Sequence, residues 1–352
     1  MSRLRMLCLG ATACLVLATA APSTSHAALP ASNPFAQPST LPFQAPPFDR
    51  IKDSDYQPAL EEGMRQQIAE IEAIADSPEQ PTFENTIAAM EKSGRLLDRV
   101  ELAFFGVVQA NTDDTLDKVQ TDEAPTLAAH QDAIFLNPKL FARVKAIYQS
   151  PDAQKLDPES RQLLKIYYMQ FVHSGALLDD ADKAKLRDFN KRDAMLETAF
   201  QQKLVAAAKA GALVVDDKSA LAGMSGQEIA AAGEAAKARK LDGKFVVPLQ
   251  NTTQQPALTD LTDRSVREKL FDNSWTRAEK GDANDTRDIV ADLAQLRAQK
   301  AKLLGYPNYA AYVLYDQMAD TPDKVLNFMA QLRGPVAAKS AQEAKDIQAA
   351  ID

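Results

Sequence analysis

Cysteine is nearly absent from this 352-residue chain: its two copies, Cys8 and Cys14, both fall within the first fourteen residues. Histidine is almost as scarce, with three copies at His26, His130 and His173, so nitrogen and sulfur metal ligands are few. Aromatic residues make up 7% and tryptophan occurs once, at Trp275. With alanine abundant, that composition favours packed helices over a β-sandwich. No long basic run interrupts an acidic chain of net charge −8, which makes nucleic acid and anionic membrane surfaces poor partners. After residue 27 no stretch reaches the length of about 20 apolar residues that a membrane span needs.

The chain opens instead on the pattern of an export signal. Arg3 and Arg5 form a positive segment, and Met6 to Ala20 an apolar core too short to cross a bilayer comfortably. Ser25-His26-Ala27 is a small-x-small site, so cleavage is expected after Ala27, with residues 1–27 as signal peptide and a periplasmic or secreted product. Ala11-Thr12-Ala13 is a poor lipobox for Cys14, which disfavours a lipid anchor. Cleavage removes two arginines and no acid, leaving 38 basic against 48 acidic residues. It also removes both thiols, and with them any disulfide, thiolate ligand or cysteine nucleophile.

Residues 28–52 are expected to form an extended arm, because Pro30, Pro34, Pro38, Pro42, Pro46 and Pro47 forbid helix there. Phe35, Phe43 and Phe48 give that arm a reason to lie on the body. From residue 53 to 352 the pattern is helical. Asp53-Ser54-Asp55 starts a stripe of Tyr56, Leu60, Met64, Ile68, Ile71 and Ile74. Thr82 caps a second helix, and a long one covers Asp180 to Ala210, with Leu186, Phe189, Leu196, Phe200 and Leu204 on one face. Leu213-Val214-Val215 and Phe245 to Leu249 switch to β character around an alanine-rich helix, giving a small sheet inserted in a helical protein. Helices resume near Thr259. Asn284 or Asp285 caps the next one, which Gly305 stops, and Thr321-Pro322-Asp323 starts another whose Val325, Phe328, Met329 and Leu332 are expected to face inward. Pro335 is expected to kink or end that run. The fold class is mainly α, a multi-helix body with a small inserted sheet.

Several blocks carry a resemblance when taken together in this order. They are NPFAQPSTLPFQAPPFDRIKDSDYQPALEEGM from Asn33, PTFENTIAAMEKSG from Pro81, and AAHQDAIFLNPKLFARVKAIY from Ala128. GKFVVPLQNTTQQPALTDLTDRSVRE, GDANDTRDIVADLAQLRAQKAKLLGYPNYAAY and MADTPDKVLNFM follow. The chain resembles the thimet oligopeptidase-like zinc metallopeptidases, and within them the peptidyl-dipeptidase Dcp and oligopeptidase A subgroups. That resemblance implies one part of a two-lobed, mostly helical enzyme with a deep channel and zinc at its floor. It implies short peptides as substrates, with C-terminal dipeptides removed in the subgroup.

The departure lies in the metal. Such enzymes hold zinc on a His-Glu-x-x-His helix, whose two histidines share one face and whose Glu acts as general base. No such motif occurs here, and His130 and His173 stand 43 positions apart. No catalytic or metal-binding residue is therefore assigned, and no zinc is expected for this chain alone. The expected function is the N-terminal portion of an exported peptidyl-dipeptidase, inactive without its C-terminal catalytic half. The helical pattern of Val336 to Asp352, uncapped at its end, enters the same expectation. The alternative is a non-catalytic periplasmic protein that captures peptides.

His130 and His173 could converge on a metal with a carboxylate, but a lone histidine on a helix is far more often structural. Ser174 beside His173 lacks a nucleophile elbow. Asp282-Ala283-Asn284-Asp285 lacks the turn glycine and distal glutamate of a calcium loop and reads as a cap. Asn251, Thr252, Thr253, Gln254 and Gln255 could line a peptide-binding wall, against a plain reading as a polar loop. Tyr167, Tyr168, Phe171 and Trp275 read as core.

Overall fold

The computed structural model describes residues 29–352; the expected signal peptide, His26 and both cysteines lie outside the described residues. Thirteen α-helical segments and one antiparallel strand pair, joined through a helix into a wide hairpin, follow the arm among those residues. The helices are α1 Asp53–Ala75, α2 Ala89–Lys92, α3 Arg95–Asn111, α4 Asp114–Phe135, α5 Pro138–Tyr148, α6 Pro158–His173 and α7 Asp180–Ala210. Then come β1 Leu213–Val215, α8 Gly226–Ala238, β2 Phe245–Val247, α9 Asn251–Asp260, α10 Arg264–Trp275, α11 Arg287–Leu303, α12 Tyr309–Val313 and α13 Pro322–Ile351. The mainly helical class and the small inserted sheet are both present: β1 and β2 pair antiparallel, Leu213 opposite Val247.

The arm is less extended than its prolines imply. It folds into turns, with a 3₁₀ turn at Pro42–Gln44, and is pinned at its start. Phe35, 4% exposed, packs on Tyr56, and Asn33 Nδ2 donates to the Asp55 carbonyl at 3.0 Å. Phe43 and Phe48 remain exposed.

Helix boundaries follow their caps. Asp55 accepts the Lys52 N–H at 2.8 Å at the start of α1. Thr82 and Asn85 satisfy each other's backbone N–H, but the turn they start, Phe83–Ala88, winds as a π-helix before tightening into α2. Arg143, buried on α5, fixes that turn by donating to Asn85 Oδ1 and to the carbonyls of Ser77 and Glu79. For α11 the N-cap is Thr286, one residue beyond the expected Asn284 or Asp285, although Asp285 still accepts the Arg287 N–H. Gly305 ends it as expected, at φ 83°.

Three larger buried regions result among the described residues, with a small fourth of Ala212, Ala236 and Val246 where α8 meets the strands. Ile71, Ile87, Leu140, Val144, Leu164 and Phe171 make one, between α1, α4, α5 and α6. Tyr56, Leu60, Leu97, Val100, Phe104 and Leu116 make a second, between the arm, α1, α3 and α4. A separate one joins the hairpin to α8, α9 and α10 through Leu213, Leu221, Val247, Ala257 and Leu270. Tyr167 and Tyr168 border the first as half-buried residues, in keeping with the core reading. Trp275 does not: it is 75% exposed at the end of α10, where it stacks on Phe271.

The last helix also departs from expectation. It runs unbroken through Pro335 to Ile351 and buries no residue. Phe328 is 59% exposed, and Leu326, Met329 and Leu332 are exposed with it, while Val325 is half-buried.

Candidate functional site

The long helix α7 packs against α4 on one side and α11 on the other, and a trough follows it. Three adjoining hollows make up the trough. One of about 300 Å³ is lined by Asp132, Asn190, Asp193, Lys300 and Tyr312 among others. A second, of about 360 Å³, lies between α3, α4 and α7 and shares Ala128, Gln131, Ala194 and Glu197 with the first. A third, of about 690 Å³, lies over α7 and α11 and shares Glu197 and Gln201 with the second. From Asn190 to Gln201 the trough covers three turns of α7, about 16 Å at 1.5 Å per residue.

Charged groups of both signs meet across α7 and α11. Asp193 and Glu197 lie one turn apart on α7, while Arg297 and Lys300 lie one turn apart on α11. Arg297 Nε donates to Asp193 Oδ1 at 3.1 Å, its other end bonds Glu197, and its guanidinium lies 5.3 Å from the Tyr309 ring centroid. Lys300 Nζ approaches Asp193 Oδ2 at 3.8 Å and the Tyr312 ring at 5.9 Å. Burial holds the Lys300 ammonium below its usual range, against the pull of Asp193, Asp132 and Glu197. Asp132 is 6% exposed and accepts from Asn190 Nδ2 at 2.6 Å; burial raises its carboxyl.

An aromatic box closes one end. His173, at the last position of α6, lies face to face with Tyr312 at 4.0 Å and with Tyr315 at 3.7 Å, and its Nδ1 meets the Tyr306 hydroxyl at 3.1 Å. Burial lowers its pKa to about 4, helped by Lys300 and opposed by Asp316. The neutral imidazole is therefore the resident form at neutral pH.

His130 is elsewhere, on α4, with Nε2 2.7 Å from Gln67 Oε1 and its basicity lowered by burial. Each described histidine is thus taken up by its own neighbours. No group of three His, Cys, Asp or Glu side chains is placed to hold a metal among the described residues. These residues do not fit the zinc site that the resemblance implies. The Asp282–Asp285 segment is a turn that leads into α11, in which Asp285 accepts from the N–H groups of Gly281 and Arg287.

Asn251 to Gln255 were expected as a loop or wall after a strand. They form the first turns of α9, since the helix starts eight residues before Thr259. Thr253 Oγ1 donates to the Pro248 carbonyl at 2.6 Å, and Thr252 and Thr253 line a small hollow of about 130 Å³ against α8. They belong to the hairpin layer and line none of the trough's three hollows. The trough's own groups went unread in the sequence. A usable signal existed, acids four apart on one long helix and bases three apart on another, but spacing within a helix does not say which helices face each other.

Residues 257–352 match the model of Peptidase family M3. The chain is 50% identical over 320 residues to a dipeptidyl carboxypeptidase of Escherichia coli, covering 91% of this chain and 47% of that protein. It is 27% identical over 319 residues to an organellar oligopeptidase A of Arabidopsis thaliana, covering 87% of this chain and 39% of that protein. To oligopeptidase A of Escherichia coli it is 22% identical over 294 residues, 82% of this chain and 43% of that protein. The chain spans about half the length of the curated relatives it matches.

Proposed function

Because this chain belongs to peptidase family M3, we propose that it is the N-terminal portion of an exported peptidyl-dipeptidase, one that removes dipeptides from the C-terminus of short peptides. The observation that carries this reading is the 50% identity to a dipeptidyl carboxypeptidase across 91% of the chain. The family is zinc-dependent in general. These 352 residues hold no His-Glu-x-x-His, so in this reading they contribute to binding the peptide, and hydrolysis needs sequence they do not include.

The trough along α7 supplies the peptide-facing wall in this proposal. About 16 Å accommodates roughly five residues of extended chain at about 3.3 Å each. Gln131, Asn190 and Gln201 offer donors and acceptors to a backbone there. Exposed Asn251, Thr252 and Gln255 offer a second polar contact beside the hairpin. Export rests on the residue 1–27 pattern, and amino-terminal sequencing of the mature protein checks it: Ala28 is expected first.

The decisive experiment supplies zinc and an N-terminally blocked pentapeptide to two proteins. One is this chain; the other is the same gene product extended through any downstream His-Glu-x-x-His. Dipeptide release from the free C-terminus is expected from the second alone. Turnover by the 352-residue chain that survives chelation, or release from the amino end by the longer one, overturns the proposal. The trough also favours a second reading, a non-catalytic peptide-capturing protein. Micromolar peptide affinity in this chain, with no such motif encoded downstream, selects it.

A further inference from the structure

The hollow between α3, α4 and α7 differs in charge from its neighbours. It is lined by three carboxylates, Glu101, Glu123 and Glu197, and by no lysine, arginine or histidine. Glu197 is held by Arg297, but neither Glu101 nor Glu123 forms an ion pair among the described residues. Glu123 is 3% exposed; its Oε1 accepts from Gln57 at 3.0 Å, while its Oε2 has no hydrogen-bond partner. A buried carboxylate oxygen left unmatched is destabilising unless something completes it. Phe105, half-buried, forms part of the same lining, and aromatic faces attract cations.

We propose that this cavity is a binding site for the guanidinium of an arginine side chain carried by a bound peptide. A planar guanidinium can meet carboxylates on two helices with separate N–H groups and still lie on an aromatic face, which an ammonium does less well. The two unpaired acids stand on different helices, Glu101 on α3 and Glu123 on α4, so the site is built by tertiary packing. Burial raises both carboxyls, so an incoming cation offsets a cost the fold already bears. The inference rests on the peptide reading of the trough, because the cavity is continuous with it through Gln131 and Glu197.

The test is calorimetric titration of the full chain with acetyl-arginine amide and with its neutral near-isostere, acetyl-citrulline amide. The arginine probe is expected to bind about ten-fold more tightly or better. Glu123→Gln and Glu101→Gln are each expected to weaken it by about ten-fold. Glu123→Gln keeps an acceptor for Gln57, and an unchanged melt confirms that its effect is local. Asp122→Asn, at an exposed neighbour, should leave the affinity as it was. Equal affinity for the two probes, no binding of either, or affinity unchanged in both glutamate variants overturns the site. Neither probe is a substrate for dipeptide release, so the two readings fail separately. Arginine-selective binding with no release by the extended protein sinks the peptidase reading alone, and release without arginine selectivity sinks this site alone.

Discussion

Gly63 on α1 lies directly against the backbone of Leu97 on α3: a β-carbon at position 63 would come 2.8 Å from Leu97 Cα. That spacing is closer than any side-chain-bearing residue permits, so the glycine sets how near the two helices approach. Its own φ is ordinary for a helix, and alanine would otherwise be the better helix former.

Gly63→Ala is therefore expected to destabilise the protein, by about 1–3 kcal/mol of overpacking, despite the gain in helix propensity. Thermal or denaturant unfolding checks it. A variant as stable as the parent would mean that α1 and α3 can move apart freely.

A sharper steric limit holds the hairpin layer. Gly223 sits at φ 100°, and a β-carbon there would meet the Asp260 carbonyl oxygen at 1.9 Å. Thr262 N–H donates to the neighbouring Ala222 carbonyl at 2.9 Å, so the two strands of chain cannot separate without losing that bond. Gly223→Ala is expected to cost more than about 2 kcal/mol, from left-handed backbone strain and the clash together. Partial loss of protection from proteolysis near residues 213–275, before global melting, is the readout.

Acid should weaken the aromatic box. The folded protein holds His173 neutral down to about pH 4, while the unfolded chain takes up a proton near the ordinary histidine value of 6.5. Between those values the unfolded state binds more protons, so this residue's contribution is full above pH 6.5 and falls as pH drops toward 4. His130, lowered by burial, acts in the same direction. Raised Asp132 and Glu123 act oppositely, because they favour the folded state as pH falls. His173→Phe, which keeps a ring between Tyr312 and Tyr315, should show a smaller loss of melting temperature from pH 7 to pH 4.5 than the parent. Parallel pH curves for the two proteins would refute the assignment.

The apolar face of α13 should bind a hydrophobic dye. Leu326, Phe328, Met329, Val336 and Ile347 are all exposed, and the helix buries nothing. Replacing Phe328 and Met329 by glutamate is expected to remove most of the fluorescence enhancement. It should move the melting temperature little, since surface changes stay within about 0.5 kcal/mol. Unchanged dye binding would place the apolar surface elsewhere.

Much of this architecture was legible because it is local. The caps at Thr82, Gly305 and Thr321, the span of α7 and the β-branched runs of the hairpin all follow from neighbours a few residues apart. What failed was partnership. Val325, Phe328, Met329 and Leu332 make a stripe that periodicity assigns to an interior, but a stripe does not state whether a partner exists. Residue type alone assigns Trp275 to the core, whereas it lies largely exposed at a helix end against Phe271. Asn251 to Gln255 looked like loop because Asn, Thr and Gln are weak helix formers, yet the turn holds through the Thr253 bond to Pro248. The trough needed facts from six helices at once, Glu123 from α4, Lys300 from α11 and Tyr312 from α12 among them, and no window of sequence contains that juxtaposition.

The helices α1 and α4 each have one end in the first buried region and the other in the second: Tyr56 and Ile71 on α1, Leu116 and Ile134 on α4. Neither region can come apart while these two rods stay whole and seated, so the two behave as a single cooperative unit. The hairpin layer contributes no residue to either region and has its own, built from Leu213 to Leu270. Its amides can therefore exchange with solvent through an opening smaller than global unfolding, whereas those of α1 and α4 exchange only when the whole helical body gives way.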